Sequence, residues 1–245
     1  LNQFTNPETI FIADKRHEDI LKHELRYCFL NFDDIKIQGR TRDQVDDGNS
    51  KCNFISSKHK KIIDLNENEL EVFFEKFRES LYGHEKFKDD FYDLVKNFRI
   101  FNKLGEHKIL SLFLMGESGV GKTEVARTIY KCLGGKKKLA KVNFGNSRGY
   151  IGSEDGEIFI RVRDTDMGII LIDEFEKSNA ALFNYFLDVL ESGKIVSSLA
   201  DEIDLNGFII IFTSNISKEN FQNKISPELR SRFDYKGLFT LLYNK

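Results

Sequence analysis

One glycine-rich segment constrains the fold of this chain more than any other feature. It reads Gly116-Glu117-Ser118-Gly119-Val120-Gly121-Lys122-Thr123, which is the G-x-x-x-x-G-K-[ST] pattern of a phosphate-binding loop. The apolar run 109–115 precedes it and a helical pattern begins at its last residue, so the segment joins a strand to a helix. Glycines let backbone N–H groups surround an anion, and the positive end of the following helix attracts it. The segment therefore predicts a site for the phosphates of a nucleotide, with a plain glycine-rich turn as the alternative.

Two side chains at the end of this segment have separate predicted roles. Lys122 is placed to reach the β and γ phosphates of a triphosphate as a point charge. The Thr123 hydroxyl is placed to bind the Mg²⁺ that bridges those phosphates. We therefore expect a nucleoside triphosphate and Mg²⁺ as ligands.

Apolar runs and helical patterns alternate from residue 104 onward, which is typical of a parallel sheet with crossover helices. Candidate strands span 109–115, 139–144, 168–172, 208–213 and 238–242. Candidate helices span 66–80, 123–133 and 180–191, and a further helical stripe runs from Phe87 to Phe98. In the third helix Asn179 is the predicted N-cap and Gly193 the predicted stop. The pattern predicts an α/β fold with a nucleotide-binding core.

Acidic and amide side chains follow two of these strands. The apolar residues 169–172 run into Asp173 and Glu174, and carboxylates at the carboxyl end of a buried strand point into the crevice where α/β sheets bind ligands. We predict that Asp173 belongs to the Mg²⁺ site and that Glu174 orients or deprotonates the attacking water. Asn215 follows strand 208–213 and could position the same water, although asparagine after a strand is more often a turn residue.

Two arginines, Arg230 and Arg232, precede the last candidate strand. In nucleotide hydrolases an arginine donated to the γ phosphate of a neighbouring subunit accelerates hydrolysis. The alternative is a pair of surface arginines bound to Glu228 or Asp234.

Composition excludes some classes of protein. The 245 residues carry a formal net charge of −2, so no overall charge points to nucleic acid or to an anionic membrane. The apolar runs fall short of the roughly 20 residues of a membrane-spanning helix. The three cysteines form no C-x-x-C pair, which favours reduced thiols in a cytoplasm over a disulfide framework. The histidines lack the spacing of zinc ligands, so we expect no zinc site. We interpret a local basic cluster as a solvated face: Lys131, Lys136, Lys137, Lys138 and Lys141.

Seven motifs in order resemble one family, the AAA+ module of Clp ATPases, and most closely the second nucleotide-binding module of the ClpA/ClpB type. They are LYGHE, GESGVGKTE, GYIGSEDG, IILIDEFEKS, LFNYFLDVLESGKI, FIIIFTSN and SPELRSRFD, and the resemblance covers residues 81–242. It implies the large subdomain of a P-loop NTPase, with a five-stranded parallel sheet flanked by helices. It also implies an ATPase that forms a homo-hexameric ring and pulls protein chains through a central pore.

The resemblance also implies roles for individual residues. By position, Asp173 and Glu174 match Walker B, Asn215 matches sensor 1, and Arg232, in preference to Arg230, matches the arginine finger. Leu81 and Tyr82 fall where the family packs the adenine, and Tyr150 and Ile151 fall in a pore loop that grips the substrate. The ATP-binding set is Leu81, Tyr82, Gly116, Glu117, Ser118, Gly119, Val120, Gly121, Lys122, Thr123 and Glu124.

The chain also departs from the family pattern. It ends soon after Arg232, so we expect the helical lid to be missing, and it begins with Leu1, so we expect a piece of a longer product. We divide it into an N-terminal segment of unknown role, 1–63, and an AAA+ core, 64–245.

Three hypotheses for function follow from this division. The first is a cytoplasmic ATP-driven motor that unfolds or remodels protein substrates, with an adaptor or peptidase as a further partner and neither membrane nor nucleic acid. The second is an AAA+ switch that assembles a nucleic-acid or fixed protein complex. The third assigns recruitment of substrates to residues 1–63.

Overall fold

A parallel sheet forms the centre of the fold. The computed structural model describes residues 59–143, 154–197 and 201–241. The strands within these ranges are β1 Ile109–Met115, β2 Ala140–Asn143, β3 Ile169–Asp173, β4 Lys194–Val196, β5 Glu202–Asp204, β6 Phe208–Ser214 and β7 Tyr235–Leu238. Five of them form a sheet in the order β2-β3-β6-β1-β7 with parallel pairing throughout, and β4 and β5 form a separate antiparallel pair. The predicted α/β fold with a five-stranded parallel sheet is confirmed.

Helices cover both faces of the sheet. Their bounds are α1 Glu67–Ser80, α2 Glu85–Lys103, α3 Lys122–Cys132, α4 Glu154–Asp164, α5 Ala180–Ser192, α6 Lys218–Lys224 and α7 Pro227–Ser231. Successive side chains of a strand point to opposite faces, so Leu112 packs in a core with α1, α2 and α3, whereas Phe113 packs in a core with α4, α5 and α6. The sheet therefore separates two hydrophobic cores.

Capping side chains fix the ends of two predicted helices. Asn66 and Glu69 form a reciprocal capping box at the start of α1. The Asn179 side chain accepts a hydrogen bond from Leu182 N at 2.9 Å, and α5 ends at Gly193, where φ is +75°. Both predicted caps of α5 are confirmed.

The last strand lies elsewhere than predicted. We expected 238–242, whereas β7 spans Tyr235–Leu238. This edge strand buries Gly237 but exposes Lys236 and Leu238, so it lacks the continuous apolar run of a strand that is buried on both faces. Shorter elements were not predicted at all: the β4–β5 pair has three residues per strand, and α6 and α7 have seven and five residues.

The segment that leads into α1 packs on the sheet domain. Lys60 forms a parallel bridge with Met167, and Ile62 is 1% exposed. Arg99 Nη2 on α2 donates to Leu65 O at 2.5 Å. The division at residue 63 stays a prediction.

In the part of the chain that the structure describes, no helix is both long and apolar enough to cross a membrane.

Candidate nucleotide-binding site

The phosphate loop connects the carboxyl end of β1 to the first turn of α3. At Gly116 φ is +139°, and a Cβ there would lie 2.1 Å from the carbonyl oxygen of Phe239. At Gly121, directly before α3, φ is +94°. Only glycine fits both positions without strain. The sequence motif is therefore matched by a loop whose backbone passes close to the chain after β7 and then enters a helix N-terminus.

Lys122 is a buried cation held by neutral oxygen atoms. Its side chain lies inside the loop, where Nζ donates to the carbonyl oxygens of Gly116 at 2.7 Å and Glu117 at 2.6 Å, and to Asn215 Oδ1 at 3.1 Å. Burial lowers the pKa of Lys122, although the negative charges of Glu176 and Asp173 oppose that shift. A desolvated ammonium with neutral acceptors favours an anionic ligand.

Asp173 ends β3 with both carboxylate oxygens occupied. Oδ1 accepts hydrogen bonds from the hydroxyl groups of Thr213 and, at 3.4 Å, Thr123. Oδ2 lies 2.6 Å from Lys141 Nζ, and the side chain is 13% exposed. Burial alone would raise the pKa of Asp173, but the hydrogen bonds from Lys141 and Thr213 outweigh it and lower the pKa. Asp173 is therefore ionised at neutral pH.

Glu174 follows in a left-handed backbone conformation. Its φ is +57°, which costs a non-glycine residue about 1 kcal/mol. Its Oε2 accepts a hydrogen bond from Lys177 Nζ at 3.0 Å, and the side chain is partly exposed. The turn that follows, Phe175–Lys177, carries Glu176, whose Oε2 is buried without a hydrogen-bond partner among the described residues.

The segment predicted to contact adenine lies against the phosphate loop. Leu81 is buried and Tyr82 is exposed. His84 has φ +55°, and its Nε2 lies 2.9 Å from the carbonyl oxygen of Val120 in the loop. The His84 ring also packs 4.2 Å from the ring of Phe239, and burial lowers its pKa. Sequence analysis assigned no role to His84, although its place in the LYGHE motif was a signal.

Arg232 lies at the surface, in an ion pair with Glu191. The distance from Nη2 to Oε1 is 3.3 Å, and the two side chains are 43% and 61% exposed. The alternative partner Asp234 is engaged elsewhere, since its Oδ2 accepts from Ser111 N at 2.7 Å and its Oδ1 lies 3.2 Å from His107 Nε2. Arg230 Nε is buried and has no hydrogen-bond partner in the ranges described.

Direct contacts bring together Lys122 with Asn215, and Thr123 with Asp173. These four residues come from the phosphate loop, β3 and the end of β6. Tyr150 and Ile151 lie outside the described residues. The interpretation of Lys141 as part of a solvated face is wrong, because Lys141 on β2 reaches across to Asp173. We assigned no role to Thr213 from the sequence, although it lies in the FIIIFTSN motif near the end of β6.

The residues fit a magnesium nucleotide better than a metal held by protein alone. Within 59–143, 154–197 and 201–241, no group of three His, Cys, Asp or Glu side chains could hold a metal ion. Mg²⁺ is usually bound by one or two protein oxygens together with substrate phosphates and waters. The Thr123 hydroxyl and the Asp173 carboxylate, 3.4 Å apart, are oxygen donors of that kind next to the phosphate loop.

Comparison with known proteins gives a family and several relatives. The model of the AAA domain family (Cdc48 subfamily) matches residues 107–236. The chaperone protein ClpB of Clostridium tetani is 27% identical over 201 residues, which cover 71% of this chain and 23% of the relative. ClpB of Staphylococcus aureus is 32% identical over 152 residues, covering 56% and 18% of the two chains. The negative regulator of genetic competence ClpC/MecB of Bacillus subtilis is 31% identical over 137 residues, covering 50% and 17%.

A solved structure has the same fold. The S. cerevisiae Hsp104-ADP complex superposes with a TM-score of 0.55 at 21% identity, and the match covers 73% of this chain and 37% of that one. The chain spans about a fifth of the length of the curated relatives it matches. Because the family match extends over more than half of the 245 residues, the chain belongs to the AAA domain family (Cdc48 subfamily), and its core is an AAA+ ATPase module of the Clp type.

Proposed function

We propose that this module binds and hydrolyses ATP, and that the full-length protein uses the reaction to unfold or remodel protein substrates. The observation that carries the proposal is the cluster of contacts among Lys122, Thr123, Asp173 and Asn215. These residues come from separate parts of the chain and meet at the carboxyl ends of parallel strands, where α/β sheets bind ligands. The similarity to chaperone proteins of the ClpB type supports the part concerning protein substrates.

The phosphate loop binds the triphosphate. Lys122 exchanges its contacts with the carbonyl groups of Gly116 and Glu117 for phosphate oxygens, which are charged and therefore stronger acceptors. Backbone N–H groups from 116 to 124 and the N-terminus of α3 hold the remaining oxygens. Leu81 and Tyr82 pack against the adenine, and the contact between His84 and Val120 fixes their segment beside the loop.

Acidic residues at the end of β3 divide between metal binding and proton transfer. Thr123 and Asp173 hold Mg²⁺, which supplies neutralisation of charge on the phosphates. Glu174 orients the attacking water and accepts its proton, after its carboxylate leaves Lys177. Asn215, which follows β6 and accepts a hydrogen bond from Lys122, also orients this water.

Arg232 acts on the site of a neighbouring copy in a hexameric ring. Its exposed side chain has one ion pair, with the exposed Glu191, and such surface pairs contribute little and are easily exchanged. Tyr150 and Ile151 grip the protein substrate in the pore. We further propose that the ring works in the cytoplasm, with an adaptor or a peptidase as a partner.

Replacement of Glu174 by Gln tests both parts of this proposal in the full-length protein. The variant keeps the shape of the side chain but loses the base, so we expect ATP affinity within about twofold and hydrolysis lower by about 10²-fold or more. Unfolding of a folded model substrate should stop as well. Glu75→Gln, an exposed glutamate on α1, is the matched control.

Two results would contradict the proposal. Undiminished hydrolysis in Glu174→Gln would exclude Glu174 as the base. Loss of hydrolysis with continued unfolding of the substrate would separate the ATPase from protein remodelling.

A further inference from the structure

Lys141 contacts the acidic residue at the centre of the site. It lies on β2, which pairs with β3, and its Nζ is 2.6 Å from Asp173 Oδ2. The Lys141 side chain is 33% exposed and that of Asp173 is 13% exposed, so the pair is partly removed from water. The other oxygen of Asp173 accepts from Thr213 and Thr123.

The other lysines of the predicted basic cluster behave differently. Lys136 and Lys137 donate from their backbone N–H groups to Asp166 Oδ2, and their side chains are exposed. Lys138 is also exposed. Lys141 is therefore a specific partner of Asp173, whereas its neighbours lie on a solvated surface.

An ammonium group and Mg²⁺ compete for the same carboxylate. A cation at Oδ2 neutralises Asp173, which weakens its attraction for a second cation, and the two cations also repel each other directly. Removal of the ammonium leaves a buried, uncompensated carboxylate that binds a metal ion more strongly but is costly when no metal is present.

We propose that Lys141 is the counter-cation of the magnesium site: it holds Asp173 in position while metal is absent and lowers the affinity of the site for Mg²⁺. This inference rests on the proposed function, since it takes Thr123 and Asp173 as the metal ligands. Lys141 acts through Asp173, so it is a positioning residue. A lysine with a purely structural role would contribute the same stability with and without Mg²⁺.

The test compares the wild-type 245-residue chain with four variants. Lys141→Met removes the charge and keeps most of the aliphatic volume, and Lys141→Arg keeps the charge. Lys138→Met is the matched control on the exposed surface, and Lys141→Gln is a second neutral variant in case Lys141→Met aggregates. Thermal unfolding is measured in EDTA and again with saturating Mg²⁺ and ADP, and ADP binding is measured as a function of Mg²⁺ concentration.

We expect Lys141→Met to unfold about 4 °C below the wild type in EDTA and within about 1 °C of it with Mg²⁺ and ADP. The Mg²⁺ concentration for half-maximal ADP binding should fall about fivefold to tenfold. For Lys141→Arg and Lys138→Met, the Mg²⁺ concentration for half-maximal ADP binding should stay within about twofold of the wild-type value.

Two outcomes separate failure of this inference from failure of the proposed function. If the wild type binds Mg²⁺ and ADP but neither Lys141→Met nor Lys141→Gln changes the Mg²⁺ dependence, or if the loss of stability is the same in both conditions, the inference is wrong. If ADP binding by the wild type does not depend on Mg²⁺ at all, the proposed metal site itself is wrong.

Discussion

The phosphate loop, 116–123, and the segment that carries Arg230 and Arg232 present their cations in opposite ways. Lys122 is 6% exposed and donates to three oxygens of its own chain. Arg232 is 43% exposed and pairs with one exposed carboxylate, Glu191. The difference supports the proposal that Arg232 acts on a site of another copy, whereas the phosphate loop needs only its own chain.

One strand nevertheless connects the two regions. β1 ends in the phosphate loop. The hydroxyl oxygen of Ser111, in the middle of β1, lies 2.7 Å from the carbonyl oxygen of Arg232 and 2.7 Å from Asp234 Oδ2. Either of these oxygens can accept the single hydroxyl proton of Ser111. Ser111 N also donates to Asp234 Oδ2. The backbone of Arg232 is thus anchored to the strand that carries the loop, while its side chain points outward.

The largest expected effect comes from Arg232→Ala in the assembled full-length protein. Because Arg232 contacts no residue of the site in its own chain that we describe, ADP affinity should stay within about twofold. ATP hydrolysis should fall about 10³-fold, since an arginine supplied between subunits is worth that much in nucleotide hydrolases. Arg163→Ala is the control, since Arg163 lies on α4, is 42% exposed and pairs with an exposed aspartate, Asp164. Unchanged hydrolysis, or a larger loss in Arg230→Ala, would shift the role away from Arg232.

Lys122→Ala should weaken nucleotide binding itself, whereas Arg232→Ala should leave binding unchanged. The isolated chain should lose ADP affinity by about 30-fold to 100-fold, because charge-assisted contacts to phosphate contribute about 2 to 3 kcal/mol. Isothermal titration calorimetry measures the affinity directly. Nucleotide affinity within about threefold of the wild type would show that the phosphates bind elsewhere.

The smallest expected effect concerns His107, which supports Asp234. Its hydrogen bond to Asp234 raises the pKa of His107. A raised pKa in the folded state adds stability that is fully present below the unfolded pKa and is lost as the pH rises through the folded pKa. The unfolding free energy of the wild type minus that of His107→Gln should therefore be larger at pH 5.5 than at pH 8, by about 0.5 kcal/mol or less because the side chain is 35% exposed. Urea denaturation at both pH values checks the sign, and a larger difference at pH 8 would contradict it.

The sequence patterns placed β1, β2, β3 and β6 to within one residue at each end, but they misplaced the edge strand β7. β1 and β6 are buried along their whole length and read as continuous apolar runs, so their bounds follow from composition. β7 alternates between buried and exposed residues, and the predicted strand was therefore placed on the apolar residues that follow it. The short β4–β5 pair has no periodic signal of sufficient length.

The residues of the site also fall into two groups: those that a local sequence pattern predicts and those whose contacts depend on the tertiary fold. The motifs predicted Lys122, Thr123 and Asp173 because the chemistry of each is tied to a local pattern. The contacts of Lys141 and Thr213 with Asp173 depend on which strands are neighbours in the sheet, which no local pattern contains. His84 depends on a left-handed turn that brings it to Val120.

In the proposed active site, residues from the phosphate loop, β3 and the end of β6 surround one magnesium nucleotide. A crystal structure of this chain with Mg²⁺ and a slowly hydrolysed ATP analogue would show whether they do. We predict that Lys122 Nζ leaves the carbonyl groups of Gly116 and Glu117 for the phosphates, and that one metal ion contacts Thr123 and lies beside Asp173. A nucleotide bound away from Lys122, with the contacts of Lys122 to its own loop unchanged, would contradict the account.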